Sequence, residues 1–148
     1  ITGLGNFGFI WILTAAVFII IPKTRKTGFT MAVSLIIILI TVNVILKPLI
    51  GRARPFEIDS DILKNILISL PADGSFPSGH TAAAFGAATA AFCCNKRIGS
   101  ILYIMAALMG VSRLYFAVHF PTDVIGGIVI GVAAGIISYK ISAKKVKK

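Results

Sequence analysis

Phe29-Thr-Met-Ala-Val-Ser-Leu-Ile-Ile-Ile-Leu-Ile-Thr-Val-Asn-Val-Ile-Leu46, followed at once by Lys47-Pro48-Leu49-Ile50-Gly51-Arg52-Ala53-Arg54-Pro55, decides the fold. Eighteen residues with no charge approach the length of about 20 that a helix needs to cross a bilayer, and a dense cationic segment marks the end of that crossing. Working outward, similar apolar runs extend over Phe7–Ile21, Thr81–Cys94, Ile98–Phe116 and Val124–Ile141. With 57% of 148 residues hydrophobic, too little polar surface remains for a water-soluble domain. The expected fold is all-α, a polytopic transmembrane bundle with five spanning helices forming one domain over residues 1–148. The first and third runs are short and must recruit flanking residues or sit in a thinned bilayer.

Charge placement orients the bundle. If the helices alternate, one side carries Lys23, Arg25, Lys26, Lys96, Arg97, Lys140, Lys144, Lys145, Lys147 and Lys148 without an acid. The other side holds Lys47, Arg52, Arg54, Lys64 and Arg113 against Glu57, Asp59, Asp61, Asp73 and Asp123, and its charge cancels. Cytoplasmic loops are the ones enriched in Lys and Arg, so the first side is expected to be cytoplasmic. The net charge of +10 then belongs to topology and to anionic inner-leaflet lipids rather than to nucleic acid. Ile1 falls on the outer side, so a sixth, N-terminal helix starting in the cytoplasm is expected ahead of it. Cys93 and Cys94 are neighbours near the cytoplasmic end of the third run, where a structural disulfide is not expected.

Between residues 58 and 70, Ile58, Ile62, Leu63, Ile66, Leu67 and Leu70 recur at helical spacing opposite Asp59, Asp61, Lys64, Asn65 and Ser69. That pattern predicts a short amphipathic helix at the interface, covering the bundle's outer end or guiding a head group. Gly127, Gly131 and Gly135 in the last run, and Ala82, Gly86 and Ala90 in the third, repeat every four residues. Such small-residue faces let helix backbones approach closely within lipid.

The polar residues that look misplaced all fall at the outer helix ends, in three clusters. The first is Lys47 through Pro55. The second, Ser75-Phe76-Pro77-Ser78-Gly79-His80-Thr81, has a capping serine at a helix start whose amides favour an anion, phosphate being the usual one. In the third, Ser112-Arg113 is followed by His119 and Asp123; a carboxylate there can accept from one imidazole nitrogen and leave the other as a nucleophile. Each cluster alone has an ordinary structural explanation, as flanking charge, helix cap or loop staple.

Together they resemble the type 2 phosphatidic acid phosphatase superfamily, whose signatures Lys-x6-Arg-Pro, Pro-Ser-Gly-His and Ser-Arg-x5-His-x3-Asp are matched by Lys47 with Arg54-Pro55, by Pro77-Ser78-Gly79-His80, and by Ser112-Arg113 with His119 and Asp123. The resemblance implies a membrane lipid phosphatase working through a phosphohistidine. His119 would attack phosphorus, Asp123 would orient it, and His80 would protonate the leaving oxygen. Lys47, Arg54 and Arg113, with Ser78 and the Gly79 amide, would hold the phosphate oxygens. No cofactor and no metal are expected, because fixed cations take over the metal's charge. Arg52 is an extra cation without an assigned role. The substrate expected first is a polyprenyl diphosphate such as the undecaprenyl carrier, with phosphatidylglycerophosphate or phosphatidic acid as alternatives. The expected setting is a bacterial plasma membrane, with the site on the extracytoplasmic face. A transporter or flippase that binds lipid phosphate without hydrolysis is the competing class, although within the helices the polar residues are mainly Asn43, Thr14, Thr41, Thr89 and a few serines, with no buried charge expected to line a polar path. Vanadate-dependent halide oxidation, which shares this site architecture, is a third.

Overall fold

A computed structural model describes residues 8–58 and 72–145. All of the regular structure in these residues is helical: α1 (Gly8–Ile20), α2 (Arg25–Ile38), α3 (Lys47–Ile50), α4 (Pro55–Ile58), α5 (Gly79–Cys94), α6 (Lys96–Tyr115) and α7 (Pro121–Lys145). A π-helical stretch, Leu39–Leu46, joins α2 to α3 and carries the chain to Lys47.

Among the described residues, three stretches are long and apolar enough to cross a membrane, namely Arg25–Ile58, Lys96–Tyr115 and Pro121–Ala143. At 13 and 16 residues, α1 and α5 are shorter. Helix limits lie outside the apolar runs because basic side chains are tolerated at the ends of a span, where they reach the interface; α2 opens on Arg25-Lys26 and α6 on Lys96-Arg97. The interfacial helix expected over residues 58–70 lies outside the described residues apart from Ile58, which closes α4.

The core forms around α5, which packs most heavily on α7 and α6 and also meets α2. Its Ala82, Ala84, Ala87, Ala88, Ala90 and Ala91 are fully buried. Small side chains bring the helices together, because lipid supplies no hydrophobic drive for them to pack. The glycine face of α7 meets this alanine face directly. A Cβ on Gly131 would stand 2.5 Å from the Ala82 carbonyl oxygen, and one on Gly135 2.8 Å from that of Gly86. Larger apolar side chains such as Ile101, Ile104, Leu108, Val111, Ile125 and Val129 point outward, the inverse of a water-soluble bundle.

Chain direction then puts the polar clusters at one end. Helices α5 and α6 are joined at Asn95, whose Oδ1 accepts from the amides of Arg97 and Ile98 at 3.0 and 3.2 Å. The start of α5, with His80, therefore lies beside the end of α6, with Arg113, and α7 begins next to His119. Cys93 and Cys94, at the opposite end of α5, are free thiols.

Candidate active site

Three backbone-anchored contacts stitch the clusters together. Arg54 Nη1 donates to the Val118 carbonyl at 2.9 Å, joining the first cluster to the third. The Ser75 amide donates to the Arg52 carbonyl at 2.8 Å, joining the second to the first, and the Ser78 amide donates to the Asp123 carbonyl at 3.0 Å, joining the second to the third. The turn of the first cluster depends on Gly51, which ends α3 in the left-handed region at φ 56°, where a residue with a Cβ is strained. Ala117 adopts φ 49° in the loop between α6 and α7, and this sharp turn aims the Val118 carbonyl and the His119 ring inward.

Arg54 is 1% exposed and spreads its donors widely. Its Nε binds the Asp73 carbonyl at 2.9 Å, its Nη2 binds Asp73 Oδ1 at 2.8 Å, and its Nη1 lies 3.5 Å from His119 Nε2. A guanidinium can only donate, so this last contact makes Nε2 the acceptor and puts the imidazole proton on Nδ1. Nδ1 faces Asp123 Oδ2 at 3.6 Å, with Ser75 Oγ 3.5 Å away. Burial first, then the positive charges of Arg54 and Lys47, push the His119 pKa down from the usual 6.5 to about 4, against the opposing pull of Asp123. The ring is therefore neutral at pH 7, with a lone pair on Nε2.

Asp123 is fully buried, and three donors hold it. Arg52 Nη1 reaches Oδ1 at 2.7 Å, while Ser75 Oγ and the Phe120 amide reach Oδ2 at 2.5 and 2.9 Å. Arg52 also donates to Thr122 Oγ1 at 2.7 Å and stacks its guanidinium 4.4 Å from the Phe120 ring centroid. The cation without an assigned role in the sequence is thus the partner of the loop carboxylate.

Lys47, Arg54, Gly79, His80 and Asp73 share the wall of one cavity of about 970 Å³. Apolar side chains of α1 and of the α2 stretch, including Phe9, Ile12, Ile19, Leu35, Ile36 and Leu39, form most of the rest of its lining, together with Asn43 and Ala83. Lys47 and Arg54 both pair with the Asp73 carboxylate. Burial raises the Asp73 pKa, but hydrogen bonding and charge from Lys47, then charge and hydrogen bonding from Arg54, outweigh it and hold the carboxyl below the usual carboxylate range. Arg113 is 5% exposed and is the strongest charge acting on the His80 ring. Gly79, as the first residue of α5, offers an amide without an intrahelical acceptor. Ser78, Arg113 and His119 are not on this wall; Ser78 is fully buried, its hydroxyl pairs with Thr81 Oγ1 at 2.9 Å, and its amide is used on Asp123. Ser78 thus fastens α5 to α7.

The sequence assigned no role to Asp73, and none to Ser75 beyond its place in the second cluster. Their signal was position alone, five and three residues ahead of Ser78 in a segment that must face the first cluster.

The chain's sequence from residue 24 to 147 matches the family model of the PAP2 superfamily. The chain belongs to that superfamily. It is 32% identical over 136 residues to an undecaprenyl-diphosphatase of Sulfolobus acidocaldarius, covering 91% of this chain and 65% of that protein. It is 33% identical over 103 residues to the undecaprenyl-diphosphatase BcrC of Bacillus subtilis, covering 70% and 52%. The chain thus spans about half to two thirds of the length of these PAP2 relatives. A crystal structure described as the first transmembrane PAP2-type phosphatidylglycerolphosphate phosphatase, from Bacillus subtilis, superposes with a TM-score of 0.71 at 26% identity, covering 95% of this chain and 71% of that one. With its lipid-facing helices and its PAP2 fold, the chain is an integral membrane protein.

Proposed function

We propose that this chain is a lipid phosphatase that transfers a terminal phosphoryl group from a membrane-anchored lipid to His119 and then to water. The observation that carries this is the cavity. Its apolar walls, from α1 and α2, suit a lipid tail, and it ends on Lys47, Arg54, the Gly79 amide and His80, which suit a phosphate. A soluble phosphate ester would gain nothing from that apolar lining.

In this mechanism Nε2 of neutral His119 attacks phosphorus in line with the departing lipid oxygen. The phosphorus–oxygen bond breaks as the phosphorus–nitrogen bond forms, and His80, which takes up a proton once the anionic phosphate offsets the Arg113, Lys47 and Arg54 charges around it, gives that proton to the leaving oxygen. The new phosphoimidazole carries positive charge on its ring, which Asp123 stabilises through Nδ1–H. Neutral His80 then takes a proton from water as the water oxygen attacks phosphorus, and inorganic phosphate leaves. Lys47, Arg54, Arg113 and the Gly79 amide spread the charge on the equatorial oxygens throughout. These cations supply the charge that a divalent ion would otherwise bring, so the reaction is proposed to need no metal. Arg52 and Ser75 act on Asp123 as positioning residues.

The proposed topology has all five long helices spanning, with α1 and α5 in a locally thinned bilayer; at 1.5 Å per residue α5 covers only about 24 Å. The basic helix starts at Arg25 and Lys96 face the cytoplasm, so the site faces outward, and a bacterial plasma membrane fits that arrangement. The substrate proposed first is undecaprenyl diphosphate, favoured by the two relatives of that activity, with phosphatidylglycerophosphate second by structural similarity. The deciding experiment compares phosphate release from undecaprenyl diphosphate, phosphatidylglycerophosphate and phosphatidic acid in one detergent with excess EDTA. Release from at least one, fastest from the diphosphate, is expected. Binding of all three with no phosphate released would favour a carrier instead.

A further inference from the structure

Asp73 occupies the two cations to which the proposed function assigns the substrate phosphate. Its Oδ1 binds Arg54 Nη2 at 2.8 Å and its Oδ2 binds Lys47 Nζ. The two cationic side chains are 2% and 8% exposed, and Arg54 is fixed from behind by the Val118 and Gly74 carbonyls. The Asp73 side chain is 52% exposed and belongs to a non-helical segment before α5. Of the three partners, the carboxylate is the one that can turn into water without opening the core.

We infer that Asp73 is a specificity residue: its carboxylate competes with incoming anions for Lys47 and Arg54, and so excludes the singly charged phosphodiester lipids that make up bulk anionic membrane. The reasoning is one of exchange, and it rests on the lipid phosphatase reading. A carboxylate brings one negative charge and two oxygens to the pair of cations. A phosphodiester brings the same charge and two non-bridging oxygens, so replacing Asp73 gains nothing to offset the ordering of a lipid. A terminal phosphate brings up to two charges and three acceptor oxygens, and a diphosphate brings more, so these displace Asp73 with a net gain. Discrimination by a competing group inside the site matters here because a lateral, apolar cavity admits any lipid by its tail.

The test uses the purified full chain and its Asp73→Asn variant, which keeps the shape and removes the charge. Two quantities are read: the orthovanadate concentration that protects against thermal unfolding, and the mole fraction of phosphatidylglycerol in mixed micelles that halves phosphate release. Asp73→Asn is expected to lower both by about tenfold, the scale of one charge-assisted hydrogen bond surrendered by the competitor. Wild type is expected to tolerate high phosphatidylglycerol. Weaker vanadate protection in the variant would mean that Asp73 holds Lys47 and Arg54 in place, and unchanged values would mean that it competes with nothing; either outcome overturns the inference. If Asp73→Asn fails to fold, Asp73→Ser is read in the same way. A wild type that binds vanadate but hydrolyses no lipid phosphate would defeat the proposed function while leaving the vanadate comparison to judge Asp73.

Discussion

Arg52→Ala isolates the side-chain link from the first cluster to Asp123. Arg52 donates the one hydrogen bond to Asp123 Oδ1 among the described residues, at 2.7 Å, and leaves Oδ2 to Ser75 and Phe120. Removing one partner of a fully buried ion pair costs about 3–5 kcal/mol. The Arg52 side chain is 37% exposed, so water can replace part of the lost interaction, and about 1.5–3 kcal/mol is the better scale for a hydrogen bond to a charged group. If Asp123 positions the His119 ring, much of that appears in the barrier: kcat is expected to fall about 10- to 100-fold. KM should change little, since Arg52 is not part of the cavity wall. Arg52→Lys keeps the cation and should recover part of the loss. The assay is phosphate release at saturating and limiting substrate, with thermal unfolding run alongside. An unchanged kcat, or a loss carried wholly by KM, would refute the positioning role.

Other consequences can be checked by equally direct measurements. Ser75→Ala removes the hydroxyl that bridges Asp123 and His119, and is expected to lower kcat about tenfold with KM unchanged, the scale of one hydrogen bond to a buried charge. Because burial and neighbouring cations hold the His119 pKa near 4, its nucleophilic form persists as pH falls through 6.5; the acid limb of kcat/KM should be centred well below 6.5, and a limb at or above that value contradicts it. The same depressed pKa means that folding stability falls as pH drops from 6.5 toward 4, because the unfolded chain then binds the extra proton. Gly131→Val would press a branched side chain against the Ala82 carbonyl and Gly86 amide; a loss of about 1–3 kcal/mol from overpacking is expected as a lower melting temperature.

The sequence shows most plainly what a membrane makes costly. Lys47, Arg54, His80, Arg113, His119 and Asp123 stood out because charged and polar groups gathered at the ends of apolar runs, and the structure brings those ends together. The Gly127, Gly131 and Gly135 repeat gave the close approach of α7 to α5 for the same reason: few residues other than glycine fit that distance. Asp73 and Ser75 were harder to see because Asp and Ser ahead of a helix are common caps and turn formers, and their site contacts depend on the fold of the first cluster. Arg52 looked like any flanking charge until the fold put Asp123 beside it. The π-helical stretch could not be read at all, since Leu39-Ile-Thr-Val-Asn-Val-Ile-Leu46 is apolar on nearly every side and carries no period. The helix limits shifted outward because basic residues end a span without ending its helix.

The most direct measurement is to trap the intermediate. Protein mixed with a terminally 32P-labelled lipid diphosphate and quenched in alkali within the first turnover should carry acid-labile, base-stable label, and peptide mapping should place it on His119. His119→Gln should carry none, while His80→Gln should accumulate label because breakdown of the intermediate is slowed. Turnover of wild type with no labelled protein, or label on any other side chain, would contradict the central claim.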